Sequence, residues 1–171
     1  MPAMSQPTTR RARLVPSRWT GPLTVFTAVC SIVFTLGTAL HNFAVIDSGV
    51  IEEMMRRAGG ADPAGDAPGF TTGFRIVGSI YIAGNAVGIL ALRSRASWLF
   101  WTVLTVNATQ GLGWVMIPPQ MWSVTYDRYG IAGVLPSAVT DGGGAVLALV
   151  LLATLVRYRT SWARLRRTAD E

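Results

Sequence analysis

Four polar side chains stand inside otherwise apolar sequence: His41, Arg75, Gln110 and Asp141. An imidazole changes charge near neutral pH, and a carboxylate in apolar surroundings needs a cation beside it or else a proton on it. A guanidinium supplies such a cation, and a side-chain amide both donates and accepts hydrogen bonds. Together these types describe a small polar pocket, with Arg75 and Asp141 as an ion pair and His41 able to take up and release a proton. A second reading uses the same residues with no ligand: each satisfies another and so holds helices in register. Asp141, beside Gly142, Gly143 and Gly144, matters under both. Asn107 joins Gln110 as a candidate ligand-binding amide, although Asn85, Asn107 and Gln110 are equally the side chains that hydrogen-bond between helices.

Other chemistry lacks its residues. With one histidine there is no HExxH, and no GxxxxGK[ST], GxGxxG or GxSxG run occurs. A hydrolase, a nucleotide-driven pump and a metal site are therefore disfavoured, and nothing in the pattern names a cofactor. The single cysteine, Cys30, excludes an intrachain disulfide and reads as a small apolar packing residue.

The elements that must carry these residues follow from composition. Half of the 171 residues are apolar and 14% are charged, and mean hydropathy is positive, a balance suited to a hydrocarbon solvent. A spanning helix takes roughly 20 apolar residues, and four such stretches are present, about 22–46, 73–92, 98–117 and 131–156. The fold expected is all-α, a transmembrane four-helix bundle with a short surface helix in the first outer loop. That helix opens at Ser48, with Val50, Ile51, Met54 and Met55 on one face and Glu52, Glu53, Arg56 and Arg57 opposite. Gly59, Gly60, Pro63, Gly65, Pro68 and Gly69 predict an irregular connection behind it. Pro118 and Pro119 end the third span, and the loop to Gly130, with Trp122, Tyr126 and Tyr129, reads as an interfacial aromatic belt. The fourth span must start near Ile131 to Pro136, because Gly142 to Val156 alone is too short, and this draws Asp141 below the surface. Gly84 and Gly88, and Gly144 with Ala148, have the spacing of close helix packing.

Residues 1–21 read as a mobile basic arm and 157–171 as a basic tail. The basic start, apolar run and small residues Gly37 and Ala39 imitate a cleavable secretory signal, but the run continues to spanning length and further spans follow. All fifteen basic residues are arginine, as in chains from GC-rich bacterial genomes. Eleven of them fall in the arm, the turn Arg93–Ser97 and the tail, against Arg56, Arg57, Arg75 and Arg128 on the other side. This places both termini in the cytoplasm by the positive-inside rule. The net charge of +6 thus reports orientation, and no nucleic-acid partner is expected.

The segment FRIVGSIYIAGNAVGILALRSR, Phe74 to Arg95, is followed at once by a third span and then by a fourth with Pro136 and Asp141. In this order and spacing the chain resembles the small four-helix bacterial membrane proteins of the DoxX-like group over roughly residues 22–156. The resemblance implies the four-helix architecture, and, as in better-known members, a link to redox or sulfur metabolism with partner subunits. The long first outer loop, and an aspartate where a glutamate is more usual, depart from that pattern, so no catalytic role is carried over.

Three functions are compatible with these residues. One is an accessory or noncatalytic protein in the bilayer that binds a small apolar ligand or a partner subunit, or pairs with its own copy. Another is a small membrane enzyme acting on a quinone or isoprenoid, with His41 and Asp141 handling protons. The third is a conducting subunit, which needs an oligomer. Topology is testable first: reporter fusions at Ala61, Ser94 and Glu171 should read outside, inside and inside, and an outside reading at Ser94 would overturn the arrangement.

Overall fold

The computed structural model describes residues 13–167; the rest of the arm and tail lie outside the described residues. The protein is all-helical apart from one short ribbon. Helix α1 (Thr20–Leu40) continues through a π-helical turn, His41–Val45, and α2 (Ser48–Arg57) follows at once. Then come α3 (Pro63–Gly88), with a tightened last turn over Ile89–Leu92, and α4 (Ser97–Met116). The chain continues with α5 (Pro119–Tyr129), α6 (Ile131–Ser137), a second π-helical turn (Ala138–Gly142) and α7 (Gly143–Tyr158). Strands β1 (Arg13–Pro16) and β2 (Arg164–Arg167) pair antiparallel, Arg13 opposite Arg167.

Three helical stretches are long and apolar enough to cross a membrane: Thr20–Val45, Pro63–Leu92 and Ile131–Tyr158. Helix α4 has a spanning length of 20 residues, but its Asn107, Gln110, threonines and tryptophans dilute its apolar character. Around the bundle α1 packs on α3, α3 on α4, and α4 on α7, which returns to α1. Small residues let the backbones approach. A Cβ at Gly84 would lie 2.8 Å from Val106, one at Gly111 2.9 Å from Ala145, and one at Gly143 2.6 Å from the Phe34 ring.

Two expected loops are helical. The run from Gly59 to Gly69 is not an irregular connection beyond Asp62, because Asp62 Oδ1 accepts the Gly65 amide at 3.1 Å and Pro63 occupies the first helical position. Aspartate as cap followed by proline is a helix start whose missing N–H costs nothing, and it outweighs the glycines that follow. Pro118–Pro119 likewise ends one helix and begins another, so Trp122, Tyr126 and Tyr129 ride on α5. Helix α2 does not rest its apolar face on a lipid surface. Val50, Ile51 and Met54 are buried against Ala67 of α3 and Met121 and Val124 of α5. Arg57 binds Asp127 at 2.8 Å and Arg128 binds Asp47 at 3.2 Å across the same seam. Hydrogen bonds from Arg57 and then Arg56 hold the Glu53 carboxyl below its ordinary value. Such exposed pairs add little in water; each buried Val, Ile or Met contributes about 1.5–3 kcal/mol, so the apolar contact holds this cap.

The opposite end is closed by the chain termini. Where a mobile arm was expected, Arg13–Pro16 is a strand, and in the basic tail Trp162 is fully buried. The Trp162 indole donates to the Ala96 carbonyl at 2.9 Å and meets Phe100 edge-on at 5.4 Å. The Thr20 hydroxyl donates to the Ala163 carbonyl at 3.1 Å. Trp162 adopts a left-handed backbone (φ 61°), a conformation that costs an L-residue roughly 1–2 kcal/mol and persists because the ring fills the end of the core. Trp162→Ala should destabilise the protein in detergent by about 3–5 kcal/mol. Thermal unfolding of parent and variant checks this, and an unchanged midpoint would show that the ring does not close the bundle.

Candidate functional site

One cavity of about 340 Å³ lies in the half of the bundle nearest α2 and α5. Its walls are mainly apolar. Helix α3 supplies Phe70, Phe74, Val77 and Tyr81 from one face, and α4 supplies Met116 and Ile117. The exposed side chains Phe70, Val77 and Met116 form its rim, so the mouth lies between α3 and α4. These two helices approach closely where Gly84 meets Val106.

The cavity's polar side chains come from four elements: Thr38, His41 and Asn42 from α1 and its π turn, Thr109 and Gln110 from α4, Ser137 from α6, and Thr140 and Asp141 from the second π turn. Each of the two π turns thus brings polar side chains to the same wall. A π turn takes one residue more than an α turn and rotates the following side chains onto a new face. In the fourth helix it follows Pro136, which lacks the amide that would bond the preceding turn. Asp141 is 8% exposed and accepts from the Ser137 hydroxyl at 2.6 Å and from the Thr140 hydroxyl at 3.3 Å. Gly113 of α4 lies over it: a Cβ there would stand 3.5 Å from Asp141 Oδ2.

Gln110 links the helices. Its carbonyl accepts from Asn85 Nδ2 of α3 at 2.7 Å, and its amide donates to Thr38 Oγ1 of α1 at 3.0 Å. The same amide faces the Asp141 carboxylate. One side chain therefore joins three helices to the fourth.

Of the residues singled out from sequence, His41, Gln110 and Asp141 come together on this cavity. Arg75 does not. Its side chain is exposed, it forms no ion pair with Asp141, and only its backbone carbonyl faces inward, accepting from Asn42 Nδ2 at 3.2 Å. The expected pair fails because Phe74 and Gly78, four residues apart, take the inward face of α3 at that level and turn Arg75 away from it. Asn107 lies outside the cavity, buried against Gly144, with Nδ2 bonded to the Val103 carbonyl at 2.9 Å. His41 shares the cavity wall with Asp141, but neither ring nitrogen has a hydrogen-bond partner, and both are sealed from solvent beside Phe74. Asn42, Ser137, Thr140 and Gly113 were missed in the sequence; the Asn next to His41, the hydroxyl beside Asp141 and the one a helical turn before it were the available signal. Among the described residues no group of His, Cys, Asp and Glu could hold a metal ion.

No protein-family model, curated protein or solved structure matches the chain.

The hydrogen-bond hub makes a quantitative demand. Gln110→Leu strands the Asn85 amide and the Thr38 hydroxyl, and each orphaned buried group costs about 1–3 kcal/mol. Asn85→Leu combined with Gln110→Leu should cost less than the two single changes added together, because the double variant leaves fewer widowed partners. Unfolding of the four proteins in one detergent measures this coupling, and simple additivity would show that the two amides are not bonded.

Proposed function

We propose that the protein is a four-helix membrane protein whose cavity binds a small lipid-soluble molecule, in a noncatalytic or accessory role. In this reading α1, α3, α4 and the α6–α7 helix all cross the bilayer. Including α4 is supported by its place between α3 and α7 and by its buried face of Leu99, Phe100, Val103, Asn107 and Gln110. A helix so enclosed shows lipid only part of its surface and tolerates two amides that an isolated span would not. Both ends carry exposed aromatic side chains suited to interfaces, Trp19 and Trp98 at the ribbon end, Trp114 and Tyr126 at the cap end. The ribbon end gathers Arg13, Arg18, Arg93, Arg95, Arg157, Arg159, Arg164 and Arg166, while Asp47, Glu52, Glu53, Asp62, Asp66 and Asp127 lie at the cap. With only Arg56, Arg57 and Arg128 at the cap among the described arginines, that excess at the ribbon end supports a cytoplasmic ribbon and an outside cap by the positive-inside rule. The architecture is the one implied by the DoxX-like resemblance, which is proposed here on the helices alone.

The observation that carries the ligand reading is the cavity itself: apolar walls, a mouth between two lipid-facing helices, and a few polar groups at one wall. Such a site admits a molecule sideways from hydrocarbon and orients it by its polar end. Gly113 provides the test, because a leucine there would fill the space over Asp141. Purified in a mild detergent, the parent should carry an extractable lipid-soluble compound that Gly113→Leu lacks, as read by mass spectrometry of solvent extracts. Identical extracts from both proteins, or none from either, would count against the reading.

A further inference from the structure

Asp141 is the one carboxylate on the cavity, and no cation answers it. Among the described residues no arginine lines the cavity, and the one nearest in sequence to its walls, Arg75, has an exposed side chain. His41 offers no counter-charge either, since neither of its nitrogens reaches the carboxylate. The partners of Asp141 are the neutral hydroxyls of Ser137 and Thr140 and the amide of Gln110. They orient the carboxylate and leave its charge uncompensated. Three aromatic side chains, Phe70, Phe74 and Tyr81, line the same cavity. Faces of aromatic rings attract cations, more strongly when water is excluded, and a buried carboxylate without a partner gains most from an opposite charge brought in by a ligand.

We propose that the cavity takes a lipophilic monocation, an organic ammonium carrying an apolar group, with its charge against Asp141 and its apolar part along the aromatic wall. This deepens the ligand-binding reading and rests on it. The carboxylate selects positive charge, the rings accept both the ammonium and its apolar substituents, and the lateral mouth admits a compound already dissolved in the bilayer. An anionic amphiphile, a fatty acid for example, would meet like charge at the wall and is excluded.

A pair of probes differing only in charge tests this. Benzyltrimethylammonium is permanently cationic, and neopentylbenzene is its neutral counterpart, with carbon in place of nitrogen. Equilibrium dialysis against the full chain in nonionic detergent should show the cation binding about tenfold or more tightly than the neutral compound. Asp141→Asn should remove that preference while neutral binding persists. Should Asp141→Asn fail to fold, Phe74→Leu should weaken the cation selectively, since leucine keeps apolar contact and loses the ring face. Equal binding of the two probes to the parent would overturn the charge assignment and leave the cavity reading standing. Binding of neither would overturn both.

Discussion

The side chain of Gln110 accepts from Asn85 and donates to Thr38, with the Asp141 carboxylate in front of it. In water these bonds would be exchanged freely with solvent. Between apolar helices there is no replacement, so the three groups must meet at one height or remain unpaired. Interhelical bonds of this kind are individually modest, about 0.5–2 kcal/mol, and their weight here is positional. They fix the level at which α1, α3, α4 and the fourth helix are tied, and therefore the level at which α3 and α4 can begin to separate. Around that level glycines bring the helices into contact, Gly84 on Val106 and Gly111 on Ala145. Toward the cap the cavity opens, lined by Phe70, Phe74 and Met116.

The two π turns convert this tie into a site. Each shifts the helix phase by a residue, so that His41 and Asn42 on one side, and Thr140 and Asp141 on the other, face the interior beside Gln110. Without the shift, a regular helix would carry Asp141 to a different face from the one it occupies. Tight fits reinforce the geometry: a Cβ at Gly37 would stand 2.6 Å from Thr140 Cγ2, and one at Gly78 would overlap the Asn42 amide. The arrangement leaves Asp141 bonded to neutral donors alone, the hydroxyls of Ser137 and Thr140 and the amide of Gln110.

The two ends of the bundle are built for stability by different means. At one end α2 and α5 cover the cavity region with a second apolar core around Val50, Ile51, Met121 and Val124. At the other end Trp162 and the β1–β2 ribbon join the start of α1, the start of α4 and the end of α7. The middle, between two closed ends, is where α3 turns most of its apolar surface outward.

Much of this was legible in the residues. Apolar stretches separated by arginines and prolines give the number and approximate limits of the long helices, because peptide groups in hydrocarbon can bond only within their own helix. The same stretches placed His41, Gln110 and Asp141 at similar depth, and depth is a property of sequence position alone. The Asp62–Pro63 helix start was equally readable and was obscured by the glycines after it. What the sequence left open was azimuth, the direction in which each side chain leaves its helix. Only packing decided that Arg75 faces outward, that Asn107 serves the α4–α7 contact, that Gln110 faces Asp141, and that Trp162 folds back into the core. Azimuth depends on which neighbour covers each face and on π turns that reset the helical phase, and neither is encoded in hydropathy.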